Sequence, residues 1–133
     1  MCLNLNKNSK VLTARTNITV YKNVRKHAHN ATKTFHALYF NQEYVLGKVV
    51  KVSAFNPYRS SGMSAWDFVD TLPENHTGII NKGLHSASKK SRAQLYGGDV
   101  TLECIIPKGT KYIRGTNNEV VSLSLKPIRV VSQ

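Results

Sequence analysis

Apolar and polar residues alternate with the period of strands along much of the chain. Within Thr16–Arg25 (TNITVYKNVR), Ile18, Val20, Lys22 and Val24 share one parity, while Tyr21 and Asn23 take the other. That is the pattern of a half-buried strand, and the β-branched content agrees with it. Phe35–Phe40 (FHALYF) and Tyr44–Val52 (YVLGKVVKV) are further β-rich elements, and Gly47 predicts a bend or bulge in the second. Asp99–Ile106 sets Val100, Leu102, Cys104 and Ile106 against Asp99, Thr101, Glu103 and Ile105, again a strand. Glu119–Leu125 and Ile128–Val131 predict two closing strands with Lys126-Pro127 between them.

Helical signals are confined to two short stretches. Ser64–Asp70 predicts one or two turns with Ser64 as N-cap and Asp67 at the third helical position, ended by Pro73. Ser86–Tyr96 (SASKKSRAQLY) fits a helical period better than an alternation, and Gly97-Gly98 supplies its stop. Lys26–Thr34 and the turn-rich Asn56–Gly62 read as loops. The expected fold is therefore α+β: a mostly antiparallel sheet with two short helices, one domain over residues 1–133. Nothing alternates strand and helix in the βαβ manner, and no glycine-rich phosphate loop occurs, so P-loop and Rossmann readings fail.

Composition narrows the function. The 19 Lys+Arg outweigh 7 Asp+Glu to give +12, and such an excess predicts a negatively charged partner. The alternative is a merely basic surface. The cations are dispersed along the sequence, so folding has to gather them; a disordered nucleic-acid arm would carry them in a block. No apolar run approaches the roughly 20 residues of a membrane span, and Met1–Leu5 is too polar for a secretory leader. A reducing cytoplasm is the expected compartment, because two cysteines make no disulfide scaffold. The five histidines and two cysteines lack metal-ligand spacing, so neither metal nor cofactor is expected.

Three segments could carry chemistry. Gly83–Ser88 is small and polar and opens the expected second helix, where backbone N–H groups with Ser86, Ser88, Lys89 and Arg92 favour an anion. Alternatively, Ser86 is only the cap. Asn56–Trp66 brings Tyr58, Arg59 and Trp66 together, aromatic rings that can stack on a base beside a guanidinium that can hold phosphate. Trp66 and Phe68 can equally anchor the loop to the core. In Glu103–Ile113, Pro107 and Gly109 define a tight turn; Glu103 is either a reactive carboxylate or a salt-bridge partner, and Cys104 reads as buried and inert.

The order of these motifs resembles the ADP-ribosyltransferase family, which runs a Tyr-Arg strand, a small-polar strand leading into a helix, and then Glu-x-x-x-Pro-x-Gly-Thr-x-Tyr. Tyr21-Lys22, then Leu84-His85-Ser86-Ala87-Ser88, then Glu103-Cys104-Ile105-Ile106-Pro107-Lys108-Gly109-Thr110-Lys111-Tyr112 follow that order here, the last stretch being the specific one. Lys22 stands in place of the family's Arg, with Arg25 nearby, and Thr101 stands where target-modifying members often carry a second Glu. The resemblance implies a related topology and gives Glu103 the task of stabilising an oxocarbenium-like transition state; the departures favour a binder over a transferase. The opening Met1-Cys2-Leu3-Asn4-Leu5-Asn6, with Gly83–Ser86 and Cys104–Gly109, is also similar to small phage and prophage proteins, among them Thoeris anti-defence proteins that trap cyclic ADP-ribose isomers.

The reading that follows is non-catalytic sequestration of a small anionic nucleotide, ADP-ribose-like or cyclic, by an anti-defence sponge in the host cytoplasm, with a homo-oligomer supplying the pocket. Arg25, Arg59, Lys89, Arg92, Lys108, Lys111 and Arg114 would hold the diphosphate; Tyr58 or Trp66 would stack on the base; Asn81 or Ser86 would meet the ribose, with His85 and Ser88 alongside. The alternatives are a mono-ADP-ribosyltransferase or NAD glycohydrolase using Glu103, and a nucleic-acid binder resting on charge without a reading motif. Mass spectrometry of NAD after long incubation with concentrated protein separates binder from enzyme. Intact NAD is the expected outcome; nicotinamide release that vanishes in Glu103→Gln would establish the enzyme.

Overall fold

A computed structural model describes residues 3–6, 8–26, 34–36, 42–58, 67–72 and 79–132. The first half holds β1 (Leu3–Asn4), β2 (Val11–Thr13), β3 (Ile18–Lys26), β4 (Thr34–His36), β5 (Glu43–Val45), β6 (Val50–Lys51) and β7 (Asn56–Tyr58). The second half holds β8 (Ile79–Lys82), β9 (Leu84–Ala87), α1 (Lys90–Gln94), β10 (Val100–Ile106), β11 (Lys111–Arg114), β12 (Glu119–Ser122) and β13 (Ser124–Ser132). Every strand pairing among the described residues is antiparallel.

The regular alternations give the strands that they predict. In the β3–β10 ladder Val24 lies opposite Val100, Lys22 opposite Leu102, Val20 opposite Cys104 and Ile18 opposite Ile106. Directly opposed residues of an antiparallel pair share a face, so this set points one way. Apart from Lys22, and with Ile18 at the margin, it joins Phe35, Tyr44, Leu84, Tyr112, Val120 and Leu125 in the main buried cluster.

The large sheet runs β2-β11-β12-β9-β3-β10-β13-β6, with β4 and β5 appended to β3. β12 passes into β13 through Leu123 alone. Before that residue the strand lies between β11 and β9; after it, between β10 and β6. The succession β12-β9-β3-β10-β13 therefore returns to the stretch of chain on which it began, and the sheet curls around its own apolar face. Leu123 keeps its backbone engaged across the switch, donating to the Lys111 carbonyl (3.0 Å) and accepting from the Val52 N–H (2.9 Å).

A second sheet, β1-β8-β7, covers the outer face of this curl. Leu3, Leu5, Phe55 and Ile80 pack there against Ile113 and Val121. On β11 and β12 adjacent residues thus serve opposite cores, Tyr112 and Val120 within, Ile113 and Val121 without. The chain moves from β8 in the small sheet to β9 in the large one through Gly83, whose φ is +143°. A Cβ there would sit 2.3 Å from Val121 Cγ2 and 3.3 Å from Phe55 Cδ1, so both backbone and space call for glycine.

The structure is mainly β, and it corrects the expectation of two helices. Asp67–Asp70 is not helical: Phe68 exchanges both backbone hydrogen bonds with Phe55, at 2.8 and 2.9 Å, a pairing that replaces any helical one. Ser64–Trp66 lies outside the described residues. The Ser86–Tyr96 helix shrinks to Lys90–Gln94 because Ser86 and Ala87 are held in β9 opposite Val120 and Glu119. Ser86 is accordingly no cap; Lys89 occupies that position and makes no side-chain cap bond. The break placed at Lys126-Pro127 is absent, since β13 runs through it, with Pro127 beside a register shift where a missing donor is tolerated.

Gly83→Ala is expected to lower stability by about 2–4 kcal/mol, combining overpacking with backbone strain. Gly97→Ala, also at positive φ but with nothing within 4 Å of a new Cβ, should cost only about 1 kcal/mol. Urea denaturation of both variants checks the difference.

Candidate functional site

Two of the cations singled out in the sequence, Lys108 and Lys111, flank the turn between β10 and β11. That turn is built by Pro107, which ends the β10 ladder, and by Gly109, at φ +89°. The Thr110 N–H closes it onto the Pro107 carbonyl at 3.1 Å. It is then bolted to the chain between β2 and β3: Gly109 N–H donates to the Ala14 carbonyl (2.8 Å), Ala14 N–H to the Thr110 carbonyl (2.9 Å), and Lys108 N–H to Asn17 Oδ1 (2.9 Å). The lysines therefore stand on a fixed platform.

Across from this turn lies the edge strand β6, registered on β13 by Ser124↔Lys51 and Leu125↔Val50. Between them is a hollow of about 430 Å³, lined by Val49, Lys51, Pro107–Lys111, Leu123 and Ser124. Lys51 and Lys108 are exposed, Lys111 is half-buried and Thr110 is buried. Three lysines lining one concavity give it a positive potential that low-dielectric walls intensify. Among the described residues, a single carboxylate reaches these lysines, Asp70 Oδ1 at 3.7 Å from Lys111 Nζ.

The other candidate residues do not meet there. Arg25 is exposed at the end of β3. Lys89 is exposed before α1, and Ser88 Oγ donates to the Asn118 carbonyl. Arg92 forms an ion pair with Glu119 at 2.7 Å, and the Tyr96 hydroxyl donates to the same carboxylate oxygen. Burial, together with that bond, pushes the Tyr96 phenol up to about 12. These contacts clamp α1 to the sheet and occupy Arg92. The helix opens at Lys90, and so not at Ser86, where the anion-binding start is expected from the sequence. The Arg114 guanidinium lies 5.5 Å from the Tyr112 ring centre. Tyr58 and Asn81 belong to β7 and β8, and Arg59 and Trp66 lie outside the described residues.

The residues aligned by the family resemblance are split between the two faces of the sheet. Lys22 and Ser86 face the main core, opposite Leu102 and Val120. Glu103 follows Leu102 and so takes the other face, where Arg129 grips it through Nε (3.0 Å) and Nη2 (3.3 Å). Inside, Lys22 is 7% exposed; it donates to the His85 carbonyl at 2.6 Å and lies 5.3 Å from the Tyr44 ring centre. Burial pushes its amine down from 10.5 to about 8, and pushes the Cys104 thiol up to about 12. Cys104 is thus a buried, protonated thiol at neutral pH. Ser86 Oγ is buried and has no hydrogen-bond partner among the described residues.

Sequence reasoning missed Lys51, Ser124 and Asp70. Nothing local marks them, because β6 and the segment around Asp70 reach the hollow only through long-range pairing. Among the described residues, no three His, Cys, Asp or Glu side chains are grouped to hold a metal ion. No helix there is long and apolar enough to cross a membrane. Compared with protein-family models, with curated proteins and with solved structures, the chain matches none.

The buried amine gives a measurable pH signature. Between about 8 and 10.5 the unfolded chain holds a proton on Lys22 that the folded chain lacks, so stability rises with pH in that interval. Cys104, ordinarily 9.0 and raised on folding, opposes the trend above pH 9, leaving pH 8 to 9 as the clean window. Urea titrations should show a rise of up to about 1 kcal/mol per pH unit there. The rise should be missing in Lys22→Met.

Proposed function

We propose that the protein binds a small phosphorylated anion, a nucleotide, in the lysine hollow between β6 and the β10–β11 turn, and holds it without turnover. The observation that carries this reading is the convergence of Lys51, Lys108 and Lys111 on one concavity with, among the described residues, a single carboxylate in reach. Its volume of about 430 Å³ falls within the range of small-molecule sites, about 300–1,000 Å³. Thr110 and Ser124 are neutral polar residues of its lining, and Val49, Pro107 and Leu123 add apolar wall for a base or sugar. Absence of turnover fits the engagement of Glu103 by Arg129 on a face apart from Lys22 and Ser86. Sequestration of a nucleotide signal is the biological use that such a binder would serve.

A second reading, nucleic acid, is favoured by one observation: Lys51 and Lys108 on the rim are exposed, and further cations follow on the flanking elements. Arg15 succeeds Ala14, which is bonded to the turn, and Lys48 precedes β6. A phosphate backbone could track such a rim.

Calorimetric titration with ADP, ADP-ribose and inorganic pyrophosphate should give micromolar or tighter binding, with ligand recovered unchanged. Lys108→Gln combined with Lys111→Gln should weaken it by about 10- to 100-fold, the effect of losing two charge-assisted contacts. No response to any of the three ligands would refute the small-anion reading. A gel shift with a steep salt dependence, together with that silence, would place nucleic acid first.

A further inference from the structure

We infer that Asp70 sets the charge threshold of the lysine hollow: its carboxylate neutralises Lys111, and an incoming phosphate has to displace it. The inference rests on the proposal that the hollow is the anion site and identifies the residue that tunes it. Lys51 and Lys108 meet no carboxylate among the described residues, whereas Lys111 meets Asp70 at 3.7 Å. The pair is exposed, 37% for the lysine and 76% for the aspartate. Exposed ion pairs of this kind are weak enough for a more highly charged competitor to replace.

Asp70 is presented there by a fixed segment. On one side, Phe68 exchanges two backbone hydrogen bonds with Phe55 and sets its ring 5.5 Å from the Phe55 ring. Asp67 is held by Asn56 (2.8 Å) and Lys82 (3.2 Å). On the other side, Leu72 packs into the second core. The carboxylate thus sits between two anchors, at high effective concentration beside Lys111. A monophosphate gains from Lys51 and Lys108 but exchanges like for like at Lys111. A diphosphate brings enough charge to engage all three, so Asp70 makes the hollow prefer diphosphates.

The test compares Asp70→Asn with Glu43→Gln, the same charge change at an exposed carboxylate on β5, which does not line the hollow. Binding of inorganic phosphate and of ADP is measured by calorimetry at about 50 mM salt, where surface charges are least screened. Asp70→Asn should tighten both by about two- to fivefold, phosphate more than ADP, as expected for release of one exposed ion pair. Glu43→Gln should leave both nearly unchanged, and in a Lys111→Gln background the Asp70 effect should vanish. Equal effects of Asp70→Asn and Glu43→Gln, or an Asp70 effect that survives Lys111→Gln, would overturn the inference while leaving the hollow as the binding site. Silence of both the parent and Asp70→Asn toward ADP would remove the hollow reading itself, and this one with it.

Discussion

The arrangement depends on the passage of backbone hydrogen bonding through Leu123. A strand that stayed with β11 and β9 throughout would leave β10 unpaired on one side and the sheet open. By changing neighbours at one residue while its own N–H and carbonyl remain bonded, the strand lets β10 and β6 continue the ladder. Buried backbone groups left unpaired at such a bend would each cost about 1–3 kcal/mol. The same switch brings β6 alongside the β10–β11 turn, so the lysine hollow is a by-product of closing the sheet.

The interior is less uniform than the alternation of its strands suggests. Lys22 occupies a position between Val20 and Val24 that apolar packing would otherwise fill. Its ammonium group has a carbonyl and an aromatic ring for company, which offset part of the desolvation cost and no more. On the outer side of β9 and β12, the Glu119 carboxylate is also buried, but there Arg92 and Tyr96 share the charge. The two buried charges are treated differently: one is paired and pins a helix, the other is destabilised within the core.

What could be read from the sequence was whatever depends on near neighbours. The parity of Asp99–Ile106, the turn at Pro107 and Gly109, and the stop at Gly97-Gly98 all follow from local geometry, and the structure agrees. Ser86 and Ala87 look helical in sequence because small polar residues and lysines follow; they are strand because β12, more than thirty residues away in the chain, pairs with them, Val120 opposite Ser86 and Glu119 opposite Ala87. The run from Val120 to Leu125 gives no hint of a change of partners at Leu123, since every residue there suits a strand. Lys108 and Lys111 were visible beside a recognisable turn, whereas Lys51 belongs to their hollow only through the β6–β13 register.

The ends of the large sheet carry one more consequence. β2 has three residues and β6 two, and a lysine stands immediately before the first and within the second. In the smaller sheet, β7 carries Pro57, which has no N–H to offer. Sheet margins this short and this charged give a neighbouring molecule little to extend. A protein whose described residues hold one short helix among many strands is thereby given little margin on which copies could stack into fibrils, and its cations keep those margins charged whatever else they bind.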